Sequence, residues 1–233
     1  MTSAPNNHRP RSHPHPLLAL LLDAADGRFP AADGAVTVMP GLGRGLECAT
    51  AFTGHAVIAT ALSDAAVQAQ QPDGFGGSMA PDFLRWIAGP DGWIGSIDNV
   101  LVARGTGGPP QLLPDDTAAA DPTTGPAGTG TAHRLRYARE VRENVQVYGD
   151  KRGLVILAAG VAGRRELSIE AAPEGVGQGW GRSLLADALT VLPPDEPVFA
   201  AVAPGNARSL RAFLATGFAP IGSEVLIRPQ PRP

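Results

Sequence analysis

The chain has 233 residues, 43% of them hydrophobic, and a formal net charge of −3 at pH 7. This length and composition exclude a chain that is disordered throughout, and they suit one large domain or a domain with an added lobe. The single cysteine, Cys48, excludes an intrachain disulfide and a cysteine-based metal site, and it suits a reducing cytoplasm.

The start of the chain predicts a disordered tail followed by a short helix. Residues 1–16 are rich in proline and histidine and have no apolar period, which is typical of disorder. The apolar run 17–22 is too short for a signal peptide and leads straight into Asp23, so we expect a core-facing helix over 17–25. No stretch approaches the roughly 20 apolar residues of a membrane span, and no membrane partner is expected.

Residues 17–104 predict an N-terminal α/β half. Hydrophobic periodicity and turn residues predict three strands and three further helices: strands at 35–39, 55–61 and 96–104, and helices at 44–52, 63–70 and 81–88. Residues 105–131 then form a low-complexity run rich in proline and glycine, which indicates a linker or a long loop. Residues 132–233 are expected to form the second part of the protein.

The second part has a clearer α/β pattern. A helix end running into a strand is predicted over 139–149, and four further strands follow at 153–163, 165–172, 196–204 and 223–229. Two helices lie between these strands. The first carries apolar residues at helical spacing: Leu184, Leu185, Ala188, Leu189 and Leu192. The second is predicted to begin at the N-cap Asn206 and to end at Gly217. Its apolar face is predicted to consist of Leu210, Phe213 and Leu214.

Charge is divided unevenly along the chain. Residues 1–131 hold 12 acids and 6 bases, a net −6, whereas residues 132–233 hold 10 acids and 13 bases, a net +3. The mild positive bias of the second part suits a small phosphorylated ligand. Nucleic acid usually demands a denser stripe of lysine and arginine, so no nucleic-acid partner is expected.

The stretch "EAAPEGVGQGWGRSLL" (170–185) places glycine at every second position from Gly175 to Gly181, between a strand and a helix. A glycine turn that opens a helix exposes backbone N–H groups where the helix dipole attracts anions, phosphate above all. Trp180 and Arg182 stand where a Rossmann fingerprint would need its third glycine, and the only lysine, Lys151, lies in another element, which excludes a P-loop. Close strand–helix packing without a ligand remains the alternative.

Two motifs then occur in order. "AAP" (171–173) is followed by "VGQGWG" (176–181), and after an intervening strand come Asn206, Ser209, Phe213 and the pair Gly217-Phe218. In both motifs the chain resembles the GNAT superfamily of acyl-CoA N-acyltransferases, most strongly over residues 139–229. The resemblance implies an α/β GNAT-like acyltransferase fold, with a central mixed, largely antiparallel twisted sheet flanked by helices and a divergent N-terminal half on the acceptor side.

The resemblance also implies a function and a site. Acetyl-CoA, or another acyl-CoA, would be the co-substrate, and an amine-bearing acceptor, small molecule or protein, would attack it directly in a ternary complex. The backbone N–H of Ala171 would polarise the thioester carbonyl. Glu170 is the candidate base, with a solvated strand carboxylate as the alternative. The residues implied to bind the cofactor are Ile169, Glu170, Ala171, Val176, Gly177, Gln178, Gly179, Trp180, Gly181, Arg182, Asn206, Ser209 and Phe213.

Three positions depart from the family pattern. Val176 stands where the family usually has Arg or Gln, Phe213 where many members carry the Tyr that protonates the thiolate, and Ala201 where some members carry a Glu base. These departures leave open a second hypothesis, an acyl-CoA-binding protein of the same fold without catalysis, acting as a sensor or structural protein.

Other polar residues have simpler explanations. "GGSMA" (76–80) approaches the nucleophile turn of a hydrolase around Ser78, but the segment before it is a turn and not a strand. His55 is a candidate lining residue of the acceptor pocket and Asp98 falls on the expected acceptor side; the simpler explanations are a satisfied structural residue for His55 and a solvated turn for Asp98. Arg182, at the start of a helix, opposes the helix dipole unless an anion binds there, which favours phosphate contact.

Overall fold

The computed structural model describes residues 14–115 and 130–231, and this part of the chain forms an eleven-stranded sheet and six α-helices. The helices are α1 (Pro16–Ala25), α2 (Asp64–Gln68), α3 (Pro81–Ala88), α4 (Gly130–Val141), α5 (Trp180–Val191) and α6 (Ala207–Ala215). The strands are β1 (Val36–Met39), β2 (Glu47–Phe52), β3 (His55–Ala59), β4 (Trp93–Ile94), β5 (Asp98–Arg104), β6 (Leu113–Pro114), β7 (Glu143–Asp150), β8 (Gly153–Ala159), β9 (Arg165–Ala171), β10 (Pro197–Val202) and β11 (Ala219–Arg228).

The sheet is mixed and mostly antiparallel, as predicted. Its strands run in the order β1-β3-β2-β11-β5-β10-β9-β8-β7-β6, and β4 pairs with β11. Within the described strands, the parallel pairs are β1 with β3 and β9 with β10. The last strand, β11, lies between β2 and β5, so strands from residues 17–104 and from residues 132–233 interleave in one sheet.

Strands β9 and β10 diverge. The register between these parallel neighbours joins one described pair of residues, Phe199 and Glu166. On its other side β9 pairs with β8 along its whole length, from Arg165 to Ala171. The edge of β9 beyond Glu166 therefore faces an open wedge, and the candidate site lies there.

Helices cover both faces of the sheet. On β5, Leu101 packs in the cluster under α5 and α6, whereas the adjacent Val100 packs with Leu17 and Leu21 of α1. Because successive side chains of a strand point to opposite faces, these helices lie on opposite sides of the sheet. All five apolar residues predicted for α5 are buried.

The helix α6 matches its predicted caps but not its predicted face. The Asn206 side chain accepts a hydrogen bond from the Ser209 N–H at 3.1 Å, and Gly217 follows the helix at φ +89°. Phe213 is buried against Phe218, edge to face with ring centroids 4.8 Å apart. Leu214 is exposed, and its predicted place on the buried face was wrong. Each residue turns the helix by about 100°, and the arc of α6 that the sheet covers ends before Leu214.

The helix predicted over 44–52 was wrong. Residues Glu47–Phe52 form the strand β2, which pairs with β3 on one side and β11 on the other. Sheet partners on both sides override the local preference of a short apolar run, for which periodicity cannot separate a helix from a strand.

The run 105–131 is only partly described. Gly105 donates its N–H to Glu196 O at 2.8 Å, Leu112 is buried in the core under α5, and β6 pairs with β7. Residues 105–115 are therefore held against the sheet. Residues 116–129 of the predicted linker, and residues 1–13 of the predicted tail, lie outside the described part of the chain.

Candidate functional site

Two adjoining cavities occupy the wedge between β9 and β10. The inner cavity has a volume of about 220 Å³ and the outer one about 760 Å³. Four residues line both cavities: Arg134, Ile169, Asn206 and Ser209. The cavities therefore adjoin along these walls, and the inner one is the smaller.

The glycine turn forms one wall of the outer cavity. Gly177 and Gly179 have φ of +80° and +77°, in the left-handed region that favours glycine. A Cβ added at Gly177 would meet nothing within 4 Å, so the space over the turn is open. Gly179 is the N-cap of α5, and no side chain caps this helix end. The first N–H groups of α5 are thus available to an anion in the cavity.

Four arginines line the outer cavity: Arg134, Arg182, Arg208 and Arg211. Glu170 is the one acid among its lining residues. This makes a net formal charge of +3, which adds to the positive end of the α5 dipole. The outer cavity therefore favours a ligand with several negative charges, such as a phosphorylated one.

Glu170 lies at the outer cavity and does not line the inner one. Its Oε2 is 2.7 Å from Arg134 Nε, in an ion pair that joins β9 to α4. An amine approaching this carboxylate would have to compete with the guanidinium.

A buried network of two arginines and two glutamates borders the inner cavity, and three of its members, Arg142, Glu166 and Glu224, line that cavity. Arg142 Nε is 2.8 Å from Glu166 Oε2, and Arg164 Nη2 is 2.9 Å from Glu166 Oε1 and 2.6 Å from Glu224 Oε1. Arg142 also donates a hydrogen bond to Ser168 Oγ at 3.0 Å. Burial by itself would raise the pKa of Glu166, but Arg142 and Arg164 outweigh it and lower that pKa.

Glu224 keeps one oxygen unsatisfied. Its side chain is 5% exposed, and Oε2 has no hydrogen-bond partner among the described residues. Burial raises the pKa of Glu224 in spite of the attraction of Arg164. Nη1 of the neighbouring Arg164 likewise has no hydrogen-bond acceptor among the described residues, and leaving either buried atom unpaired is costly.

Asp98 and Tyr137 complete the polar lining of the inner cavity. Asp98 begins β5, is half-buried, and accepts a hydrogen bond from Ser96 Oγ at 2.7 Å. Burial raises its pKa, the Ser96 and Arg142 side chains oppose the rise, and Glu166 adds to it. Burial likewise raises the pKa of the Tyr137 hydroxyl on α4.

The fold brings almost all the predicted site residues together. Eleven of the thirteen residues implied to bind the cofactor line the outer cavity: Ile169, Glu170, Ala171, Val176, Gly177, Gly179, Trp180, Gly181, Arg182, Asn206 and Ser209. Phe213 lines the inner cavity, and Gln178 lines neither. Ala201, which stands where some GNAT members have a base, also lines the inner cavity.

The acidic lining of the inner cavity was missed by sequence reasoning. Asp98 was expected in a solvated turn, which was wrong, since it is half-buried at the start of a strand. Glu166 and Glu224 belong to predicted strands, but their charges were given no role. The local signal is weak, since each acid adjoins only one buried apolar residue, Leu167 after Glu166 and Val225 after Glu224, and acids are rarely fully buried unless paired.

Ser78 and His55 do not form a second site. Ser78 is fully buried in a 3-10 turn (Gly77–Met79), and Asp73 accepts the N–H groups of Phe75 and Gly77 in the loop before it, so no strand leads into this turn. His55 is buried and contacts Asp33 Oδ1 at 3.0 Å and Thr37 Oγ1 at 3.1 Å. Both ring nitrogens are satisfied, as expected of a structural histidine.

Within residues 14–115 and 130–231, no helix is long and apolar enough to cross a membrane. No group of three or more His, Cys, Asp or Glu side chains in the same residues is arranged to hold a metal ion.

Comparison with known proteins assigns the chain to no family. No protein-family model matches the chain, and no curated protein matches it. Among solved structures it is similar to a functionally unknown conserved protein from Staphylococcus epidermidis ATCC 12228, with 17% sequence identity and a TM-score of 0.37. That alignment covers 64% of this chain and 66% of the other, so the chain spans just under two thirds of the length of its match.

Proposed function

We propose that this protein is an acyl-CoA-dependent N-acyltransferase with a GNAT-like fold, and that acetyl-CoA binds in the outer cavity. One observation carries the proposal. The start of α5, which no side chain caps and which follows the left-handed Gly177 and Gly179, borders an arginine-lined cavity, and an acidic cavity adjoins that one. The outer charge suits the phosphates of coenzyme A, and the inner charge suits an amine.

In this proposal the glycine turn and the first N–H groups of α5 bind the pyrophosphate. Arg182, Arg208 and Arg211 supply further positive charge. The free edge of β9 from Ile169 to Ala171 lines the pantetheine and directs the thioester towards the inner cavity. Val176, which lacks a polar side chain, contributes only its backbone, in keeping with its exposure at the cavity wall.

Acyl transfer needs an amine without its extra proton, a polarised carbonyl and a proton for the departing thiolate. The backbone N–H of Ala171 remains the proposed donor to the carbonyl. Phe213 has no hydroxyl, so we assign proton donation to Tyr137, which lines the inner cavity and whose raised pKa keeps it protonated at neutral pH.

The test is binding of acetyl-CoA by calorimetry, together with free-thiol release in the presence of amines. We expect Arg208→Ala combined with Arg211→Ala to weaken acetyl-CoA binding by about tenfold or more, because charge-assisted hydrogen bonds to phosphate are lost. Arg136→Ala is the matched control, since Arg136 is exposed on α4 and lines neither cavity. Equal affinity in the double variant and the control would refute the proposed cofactor site.

A second candidate function is acyl-CoA binding without turnover. The observation that favours it is Phe213, whose apolar ring is buried against Phe218 where many family members have the proton donor. Tight binding of acetyl-CoA with no thiol release across a broad amine panel would favour this function over catalysis.

A further inference from the structure

We propose that the inner cavity is the acceptor site, that it takes a small primary amine as its ammonium ion between Asp98 and Glu224, and that Asp98 accepts the proton that frees the amine for attack. The proposal rests on the proposed acyltransferase function and adds the class of substrate and the base.

The sheet register places the two carboxylates side by side. Asp98 on β5 is the register partner of Glu224 on β11, its antiparallel neighbour. Side chains of directly opposed residues lie on the same face of the sheet, with Cβ atoms about 5 Å apart. Both residues line the inner cavity. A single ammonium group, with three donors, can therefore reach both carboxylates.

The charge balance leaves a place for one cation. With every group counted in its charged form, Arg142, Arg164, Glu166 and Glu224 have two positive and two negative formal charges, and Arg134 with Glu170 forms a neutral pair. Asp98 forms no ion pair among the described residues, and Arg142, which faces it, is already paired with Glu166. Its charge is therefore the one not compensated within the inner cavity, and a cationic ligand compensates it.

The unsatisfied oxygen of Glu224 points to a ligand independently of this charge balance. Only 5% of the side chain is exposed, and Oε2 lacks a hydrogen-bond donor among the described residues. An ammonium N–H donated to this oxygen removes the cost of leaving it unpaired. An anionic or purely apolar acceptor would leave that cost in place.

The size of the cavity limits the acceptor. Its volume of about 220 Å³ is below the range of about 300–1,000 Å³ that is usual for drug-sized ligands. We therefore expect a short primary amine, or the amine-bearing end of a slender molecule. The walls shared with the outer cavity bring the amine next to the end of β9, where the thioester is proposed to lie.

Asp98 removes one proton from the ammonium ion, and the freed nitrogen lone pair attacks the thioester carbonyl carbon. The new N–C bond forms, the C–S bond breaks, and the sulfur leaves with the bonding electron pair. The nitrogen loses its second proton and the thiolate gains one through Tyr137, while Asp98 releases its own proton to solvent. The products are one amide, one free thiol and one proton.

Other groups around Asp98 act on its proton affinity. Ser96 donates to its carboxylate, and four further groups face it: Tyr137 of α4, Arg142 just after α4, Glu166 of β9 and Glu224 of β11. Burial raises the pKa of Asp98, which makes it a better proton acceptor than an ordinary aspartate.

The experiment uses the full chain, acetyl-CoA and four acceptors of equal concentration: butylamine, 1,4-diaminobutane, alanine and a tetrapeptide with a free N-terminus. We expect thiol release with the two cationic amines and much less with alanine, whose carboxylate would face Asp98. Asp98→Asn should lower kcat/KM for butylamine by about 100-fold. It should leave acetyl-CoA binding unchanged, as should the control Asp91→Asn, an exposed aspartate that lines neither cavity.

A second variant and a second readout keep the inference separate from the proposed function. Ser96→Arg adds a cation at an exposed position on the rim of the inner cavity, and we expect it to weaken amine use without affecting acetyl-CoA. Binding of 1,4-diaminobutane without acetyl-CoA, measured by calorimetry, should be lost in Asp98→Asn. Absence of acetyl-CoA binding by the unaltered chain would defeat the proposed function. Unchanged diamine binding or butylamine turnover in Asp98→Asn would defeat the inference, whatever acetyl-CoA does.

Discussion

Arg134 and Glu170 form an ion pair at the point where the two cavities meet, with Nε 2.7 Å from Oε2. Arg134 comes from α4 and lines both cavities, whereas Glu170 comes from β9 and lines the outer one alone. The pair thus fixes the position of a cation beside the proposed thioester and engages the carboxylate that the sequence suggested as the base.

Replacing Glu170 separates the two candidates for the base. We expect Glu170→Gln to lower kcat with butylamine by less than about tenfold, because Asp98 and not Glu170 is proposed to take the proton. Acetyl-CoA affinity should stay the same or rise, since the variant removes the one acid that lines the outer cavity. Steady-state thiol release measures kcat, and calorimetry measures the affinity for acetyl-CoA. Asp98→Asn is measured in parallel for comparison. A larger loss in Glu170→Gln than in Asp98→Asn would restore Glu170 as the base.

The glycine turn offers a test of the cofactor site that is matched for backbone strain. Gly179→Glu places a carboxylate where the diphosphate is proposed to bind, so the rise in melting temperature caused by acetyl-CoA should disappear. Gly27→Glu is the control, because Gly27 has the same φ of +77°, nothing within 4 Å of an added Cβ, and no part in either cavity. The control should keep the full shift. Thermal unfolding with and without acetyl-CoA measures the shift in melting temperature. An equal shift in Gly179→Glu and Gly27→Glu would contradict the proposed site.

Stability depends on the buried network around Glu166. Glu166→Gln leaves Arg142 and Arg164 without one of their charged partners at positions that are almost fully buried. We expect the free energy of unfolding at pH 7 to fall by about 3–5 kcal/mol. Urea unfolding measures it, with Glu196→Gln as the control, because Glu196 pairs with Arg165 at the surface. A loss below about 1 kcal/mol in Glu166→Gln would show that the network contributes little.

The same network predicts how stability responds to acid. The pKa of Glu166 is lower in the folded chain than its ordinary value of 4.5, so as pH falls through that value the unfolded state takes up the proton first. The stabilisation from this carboxylate is therefore present above about pH 4.5 and is lost on further acidification. The stability difference between the unaltered chain and Glu166→Gln should shrink from pH 7 to pH 3.5. Urea midpoints at both pH values check this, and a constant difference would contradict it.

Tyr137 is expected to act on the departing thiolate. Tyr137→Phe keeps the ring that packs in the inner cavity and removes only the hydroxyl, so acetyl-CoA binding should not change. We expect kcat with butylamine to fall by about 100-fold, in the range typical of a lost general acid. A leaving thiol of lower pKa should partly restore the rate, which a merely structural role would not predict. An unchanged kcat would leave the thiolate to be protonated by solvent.

The sequence by itself determined most of the outer cavity. Gly177 and Gly179 need left-handed backbone, Asn206 caps α6, and the apolar spacing of α5 requires a sheet beneath it, so local chemistry was enough to predict a strand, a glycine turn and two helices. The predicted cofactor residues came together because they are close in the chain or belong to neighbouring elements with strong local signals.

Only the tertiary structure decided the inner cavity and the strand order. Asp98 and Glu224 lie far apart in the chain and become neighbours because β11 inserts between β2 and β5, a pairing that no local pattern encodes. The strand β2 was mistaken for a helix although β3, its hairpin partner, follows directly in the chain; its other partner, β11, is distant in sequence. Hydrophobic period and capping act over a few residues, whereas strand pairing and the balance of buried charge depend on which distant segments meet.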